Sequence, residues 1–171
     1  EEFLGRYFEK TEGNLYDGGY LQDIDQPLEL NSGNRPGDYS ALQRLSVAVR
    51  EPDPVQRFQL LERWVDLDRF ISMVAMEVML CHWDSYSMNR NNYRVYHDPK
   101  SDKLVFMPHG MDQVLGIDRN NLDLPVTPTM VGMMAKALMN TPQGRQRYME
   151  RFERLFTEVF RPERLTRRVR E

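Results

Sequence analysis

Apolar positions recur at helical spacing over most of the chain and switch to strict alternation in one stretch. Residues 1–9 set Phe3, Leu4, Tyr7 and Phe8 on one side of a short amphipathic helix. Residues 11–24 carry Gly-Asn and Asp-Gly-Gly between aromatic and aliphatic residues, which predicts a hairpin because Gly and Asn accept positive φ. A loop rich in Pro, Gly and Asn follows over 25–37. From Asp38 the spacing of Leu42, Leu45 and Val49 predicts a helix that Asp38 or Ser40 can cap. Asp53 followed by Pro54 reads as the cap and first helical position of a helix over 54–64.

The strongest element spans about 67–82 behind Asp66 as its cap. Phe70, Ile71, Met73, Val74, Met76, Val78, Met79 and Leu80 cover nearly every face, the pattern of a helix at the centre of a core. Glu77 lies inside it and needs a partner, because an unpaired buried carboxylate is costly; Arg69, Arg90 and Arg94 are candidates. A polar stretch, 82–91, leads into alternation over 92–97, a turn at 98–102 and a second strand at 103–107, which together predict a β-hairpin. Residues 108–128 read as loop, with Asp112, Gly116 and Asp118 inside it. Helices are expected over 129–140, 142–160 and 162–170. The sum is one α+β, mostly helical domain over 1–171. Its parts are a connecting segment (1–37), a helical core (38–81), loops with the hairpin (82–118) and C-terminal helices (129–171).

Composition narrows the function. The chain has 171 residues, enough for one domain with a sizeable core. A net charge of −3 argues against a dedicated nucleic-acid binder. The single cysteine, Cys81, excludes an internal disulfide and a Cys-based zinc site. The longest apolar run, 70–81, is interrupted by Glu77 and is too short to span a membrane. Arg and Glu alternate over 144–171, as on a solvated helix face. Gly13 to Gly19 lacks the Lys-Ser/Thr of a phosphate loop. The opening at Glu1-Glu2-Phe3-Leu4, without an initiator Met, suggests a fragment of a longer protein.

The hairpin concentrates the chemistry. Its two ends return to the same place, so Asp84, Asn89, Asn91 and Asn92 are expected near His109, Gly110 and Asp112. Hard oxygen donors in that number suit Mg²⁺, with a phosphate supplying further oxygens. Asp and Asn also fill turns for their own sake, so spacing alone leaves both readings open. His82-Trp83-Asp84 followed by Asn89 adds the H-x-D-x-x-x-x-N spacing of a protein-kinase catalytic loop, again after a buried helix and before a two-stranded unit.

These residues also carry a family resemblance. Trp83-Asp84-Ser85-Tyr86, then Asn91-Asn92-Tyr93-Arg94-Val95-Tyr96-His97-Asp98, then Met107-Pro108-His109-Gly110-Met111-Asp112 resemble the core of the CotH kinase family, the spore-coat-type atypical kinases. The opening Phe3-Leu4-Gly5-Arg6-Tyr7-Phe8 and Gly13-Asn14-Leu15-Tyr16 resemble the segment after that family's N-terminal lobe. Three departures stand out. Ser85 replaces a Gly, the stretch from Tyr86 to Asn91 is longer, and Gly110 occupies the place of the first Asp in W-D-x-D.

The resemblance implies a kinase C-terminal-lobe-like fold and Mg·ATP-dependent phosphoryl transfer to a Ser/Thr hydroxyl of a protein substrate. Asp84 becomes the catalytic-loop aspartate and Asp112 the metal aspartate. Asn92 matches the family motif as a metal and cofactor residue, Asn89 matches the ordinary kinase spacing, and His109 is placed to orient a phosphate. An extracytoplasmic location at the cell envelope or spore surface is implied as well. A fragment without the N-terminal lobe is expected to be poorly active. Gly110 keeps a second reading open, a non-catalytic kinase-like binding or coat module. A metal-dependent phosphohydrolase is a third.

Overall fold

The structure, a computed structural model, describes residues 2–115, 123–161, 163 and 165–167. Its centre is helix α4 (Leu67–Met79), capped by Asp66, whose carboxylate accepts from Arg69 N at 3.1 Å. Phe70, Ala75, Ile71, Val74 and Val78 are all buried, as the all-round apolar pattern requires. The helix stops two to three residues earlier than its apolar run, because Cys81 turns into the left-handed region at φ 49 and His82 N donates back to Glu77 O.

One side of α4 meets a four-stranded antiparallel sheet. It comprises β1 (Leu15–Gly18), β2 (Glu29–Ser32), β3 (Tyr93–Asp98) and β4 (Lys103–Pro108), in the order β2-β1-β3-β4. The β3–β4 hairpin falls within a residue of the alternation that predicts it. Its register pairs Tyr93 with Pro108 and Asp98 with Lys103. Tyr16, Val95, Leu104 and Phe106 face the helices, while Leu15 and Tyr96 join Leu4 and Phe8 on the opposite face. Only Leu4 of the short helix α1 (Glu2–Tyr7) is buried; Phe3 and Tyr7 are exposed.

Helix α2 (Ser40–Ala48) follows the sheet's first pair, with Asp38 Oδ1 accepting from Ser40 N at 3.0 Å. Helix α3 (Pro54–Trp64) begins as expected: Asp53 Oδ1 accepts from Val55 N and Gln56 N, and Pro54 takes the first turn. A four-residue helix, α5 (Tyr86–Asn89), precedes the hairpin. Helix α6 (Met133–Met139) packs against α3 and against α7 (Pro142–Glu158), and α7 closes the other side of α4. The Arg residues of α7 are paired: Arg147 donates to Glu62 and Asp68, and Arg151 to Asp68 and Ser72.

Three expectations are corrected. Residues 11–24 do not close a hairpin on themselves. β1 pairs with β2, which lies inside the segment expected to be loop. The Gly18-Gly19 turn leads instead into a buried stretch around Asp23 and Ile24. Gly18 has a packing reason to be Gly, since a Cβ there would sit 2.1 Å from the Tyr93 ring. The helix expected from 129 starts at Met133, because Val131 N and Gly132 N are spent on Ser87 O. Of the helix expected over 162–170, residues 163 and 165–167 are helical; the rest, like Gly116 and Asp118, lies outside the described residues.

Val78 is 3% exposed, so Val78→Asp places an unpaired carboxylate in the packed centre. The expected loss is about 3–5 kcal/mol of unfolding free energy. Chemical denaturation followed by circular dichroism measures it, and a midpoint equal to the parent's contradicts the central role of α4.

Candidate functional site

The hairpin register builds the site. Tyr93 and Pro108 are paired, so the residues before β3 and after β4 are neighbours, and His109 N donates to Asn92 O at 2.8 Å. The segment after β4 is held a second time where Leu115 N donates to Leu80 O, at the end of α4, at 2.6 Å. Asp112 sits in the loop between those two ties and is exposed.

Asp84 is half-buried and held by three carboxamides. Asn89 Nδ2 donates to its Oδ1 at 2.6 Å. Asn91 Nδ2 and Asn92 Nδ2 donate to its Oδ2 at 3.0 and 2.9 Å. Asn92 Nδ2 also reaches the Asp84 carbonyl at 2.9 Å. A carboxylate offers about four lone-pair sites, so this grip leaves one acceptor direction open while fixing the rotamer. With their nitrogens committed to Asp84, the three amides turn their oxygens elsewhere. The chain reaches this arrangement through two non-glycine residues with positive φ, Arg90 (52) and Asn92 (53). Asn89 and Asn92, alternatives by spacing, thus act on the same carboxylate, and Asn91 joins them.

Gly110 has a structural reason to be Gly. Its φ is +54, and a Cβ would lie 2.4 Å from Asn92 Oδ1. A side chain at this position would push the Asn92 carboxamide aside. The side chain of His109 is exposed, and only its backbone joins the network.

His82 is fully buried beneath the loops. Burial holds its imidazole below the usual histidine range, and the charges of Asp84 and then Asp112 oppose that shift. Both carboxylates therefore act on one ring. The Gly110 backbone lies close enough to act in the same sense, yet neither ring nitrogen reaches hydrogen-bonding geometry. The sequence marks His82 as the first residue of the H-x-D-x-x-x-x-N spacing, while a lone histidine beside an apolar helix is usually structural.

Glu77 finds its partner in Ser87, not in an arginine. Its Oε2 accepts from Ser87 N at 3.2 Å and from Ser87 Oγ at 2.5 Å. Arg69 pairs with Asp66 and Arg94 with Asp17. Burial pushes the Glu77 carboxyl up to about 7, against the pull of the Ser87 hydrogen bonds. Glu77 thereby ties the core helix to α5, which carries Asn89.

Among the described residues, no three His, Cys, Asp or Glu side chains converge as a metal cage. One exposed carboxylate, Asp112, and carboxamide oxygens are instead the available donors. That set fits Mg²⁺ as it is held in nucleotide sites, with one or two protein carboxylates and the remaining oxygens from phosphate and water.

Comparison with known proteins bears on the chain as a whole. The family described as CotH kinase protein matches the chain over residues 1–171. The chain is 27% identical over 185 aligned residues to a protein of Rhizopus delemar named Invasin CotH2, covering 93% of this chain and 30% of that one. It is 31% identical over 121 residues to Invasin CotH3 of the same organism, covering 63% and 20%. The chain thus spans less than a third of the length of these relatives. No helix among the described residues is long and apolar enough to cross a membrane.

Glu77 makes stability pH-dependent with a definite sign. Its folded pKa, about 7, lies above its ordinary value of 4.5, so the folded state holds the proton more tightly. The associated stability is fully present below pH 4.5 and is lost as pH rises through 7. The stability of the parent is expected to fall relative to that of Glu77→Gln as pH rises across that window, at a slope approaching about 1.4 kcal/mol per pH unit. Urea denaturation at a series of pH values measures both proteins. Parallel curves contradict a buried, titrating Glu77.

Proposed function

The chain belongs to the CotH kinase protein family, and from that premise we propose that it carries the C-terminal-lobe portion of a kinase-like phosphotransferase acting from Mg·ATP on a protein hydroxyl. The observation that carries this reading is the Asp84 carboxylate, fixed by Asn89, Asn91 and Asn92 at the mouth of the hairpin. Asp112 stands on the adjoining loop, and both carboxylates act on the buried His82 ring. A base for phosphoryl transfer needs this kind of fixed orientation more than it needs covalent reactivity.

In this reading Asp84 orients the acceptor hydroxyl and takes its proton as that oxygen bonds the γ-phosphorus. The bond from the γ-phosphorus to the β–γ bridging oxygen breaks, and ADP leaves. Asp112, with Asn92, holds Mg²⁺, which when bound offsets the charge of the phosphate oxygens. The carboxamide clamp holds Asp84 in one rotamer. An apolar groove of about 520 Å³, lined in part by Met76, Leu80, Phe106 and Met111, opens beside this loop and offers a surface for a nucleobase. His109 is exposed at the loop and free to meet a phosphate oxygen. An extracellular or surface location is proposed from the relatives, which are named as invasins.

A second reading, a non-catalytic surface module on the same scaffold, is favoured by one observation. Asp112 is the only carboxylate in its motif, since Gly110 stands at the place of the other. Activity of the whole protein decides between the two. Asp112→Ala is expected to abolish Mg²⁺-dependent transfer of radiolabel from ATP with the fold intact. Asp84→Ala is expected to lose transfer by roughly 10²-fold or more while largely keeping nucleotide affinity. If the parent neither binds Mg·ATP nor labels itself or a generic acceptor, the binding-module reading replaces catalysis. Loss of nucleotide binding in Asp84→Ala, but not in Asp112→Ala, reverses the two roles.

A further inference from the structure

Far from the hairpin mouth in sequence, Asp23 is a carboxylate only 1% exposed. Its Oδ1 accepts from Ile24 N at 2.8 Å and from the Tyr86 hydroxyl at 3.0 Å, and its Oδ2 from Met133 N at 2.8 Å. The Tyr86 hydroxyl in turn accepts from Met134 N at 3.0 Å. Three separate segments meet at this carboxylate: the turn after β1, the start of α5 and the start of α6. Burial raises the Asp23 pKa, and the three donors counter it. Core packing alone does not call for an acid here, since apolar residues fill such space at less cost in desolvation.

What the acid does instead is locate Tyr86. That residue stands two positions after Asp84 and opens α5, whose last residue, Asn89, grips Asp84 Oδ1. The same region is fixed from the α6 side, where Val131 N donates to Ser87 O at 2.7 Å. Gly132 lies so close that a Cβ would stand 2.7 Å from Tyr86 O. From below, Glu77 holds Ser87. Of these ties, only Asp23 bonds a side-chain atom of α5 to both the β1 turn and α6.

We infer that Asp23, acting through the Tyr86 hydroxyl, is a positioning residue for Asp84, setting the place of α5 and thus the geometry of the carboxamide clamp. The kinetic consequence rests on the phosphotransferase reading above; the geometric one does not.

The test uses Tyr86→Phe, which removes one oxygen and keeps the ring, together with Asp23→Asn. Leu42→Ala, a core truncation in α2, serves as the control for lost stability. The first readout is the side-chain amide resonances of Asn89, Asn91 and Asn92 in ¹⁵N-labelled protein. Both variants are expected to shift or broaden these signals, and Leu42→Ala is expected to leave them in place. The second readout is kinetic: kcat falls by about 10-fold or more while KM for ATP stays within about 2-fold, because the lost element is the alignment of the base. Amide signals that coincide with the parent's in both variants, or that move no more than in Leu42→Ala, overturn the inference. A parent that transfers no phosphate ends the phosphotransferase reading, and the amide signals still decide whether Asp23 positions the clamp.

Discussion

The short helix beside Asp84 depends on where Tyr86 is held. Its ring lies in a buried aromatic group with Phe70 of α4, Tyr93 of β3 and Phe106 of β4, at centroid distances of 6.2, 4.5 and 5.1 Å. Its hydroxyl bridges Asp23 and Met134 N. Aromatic burial supplies non-directional stabilisation, and the hydroxyl supplies the direction. Core helix, hairpin, β1 turn and C-terminal helices all converge on this one side chain. The short helix that begins with it has too few residues to be stable alone, so its position is imposed from outside.

On that support, the polar site follows from local backbone geometry. Two left-handed residues, Arg90 and Asn92, bend the chain so that Asn89, Asn91 and Asn92 curl around Asp84. The hairpin then brings His109 and Gly110 against Asn92, and Gly110 leaves room for the Asn92 carboxamide. The residue that reads as a missing acid in the motif is thus the one that packs on the clamp. The site gives up a second carboxylate at the loop and gains a rigidly oriented first one. For phosphoryl transfer, where alignment and charge placement carry most of the rate, this is a workable exchange.

The elements with a strong physical signature were legible before any coordinates. Alternation over 92–97 and 103–107 located β3 and β4, the all-round apolar run located α4, and Asp53-Pro54 and Asp66 located two helix starts. Strand β2 escaped because it is an edge strand with half-exposed, mixed residues, so no period marks it. The start of α6 escaped because its preceding amides bond Ser87, a tertiary tie that local propensity does not record. The approach of Asn92 to His109 and Gly110 was readable from hairpin geometry. Glu77 was visible as a buried acid in need of a partner, but charge logic pointed to arginine where a serine hydroxyl and amide serve. Asp23 gave no signal, because an Asp after Gly-Gly reads as a turn residue until its burial is known.

The central claim is that Asp84 and Asp112 serve one phosphoryl-transfer site. A crystal structure of the protein with Mg²⁺ and a non-hydrolysable ATP analogue tests it most directly. The account predicts the metal on the Asp112 carboxylate and the Asn92 amide oxygen. It predicts the γ-phosphate facing the open acceptor direction of Asp84, with the Asn89 and Asn91 bonds retained. A nucleotide bound away from the hairpin mouth, or none bound at saturating concentration, contradicts it.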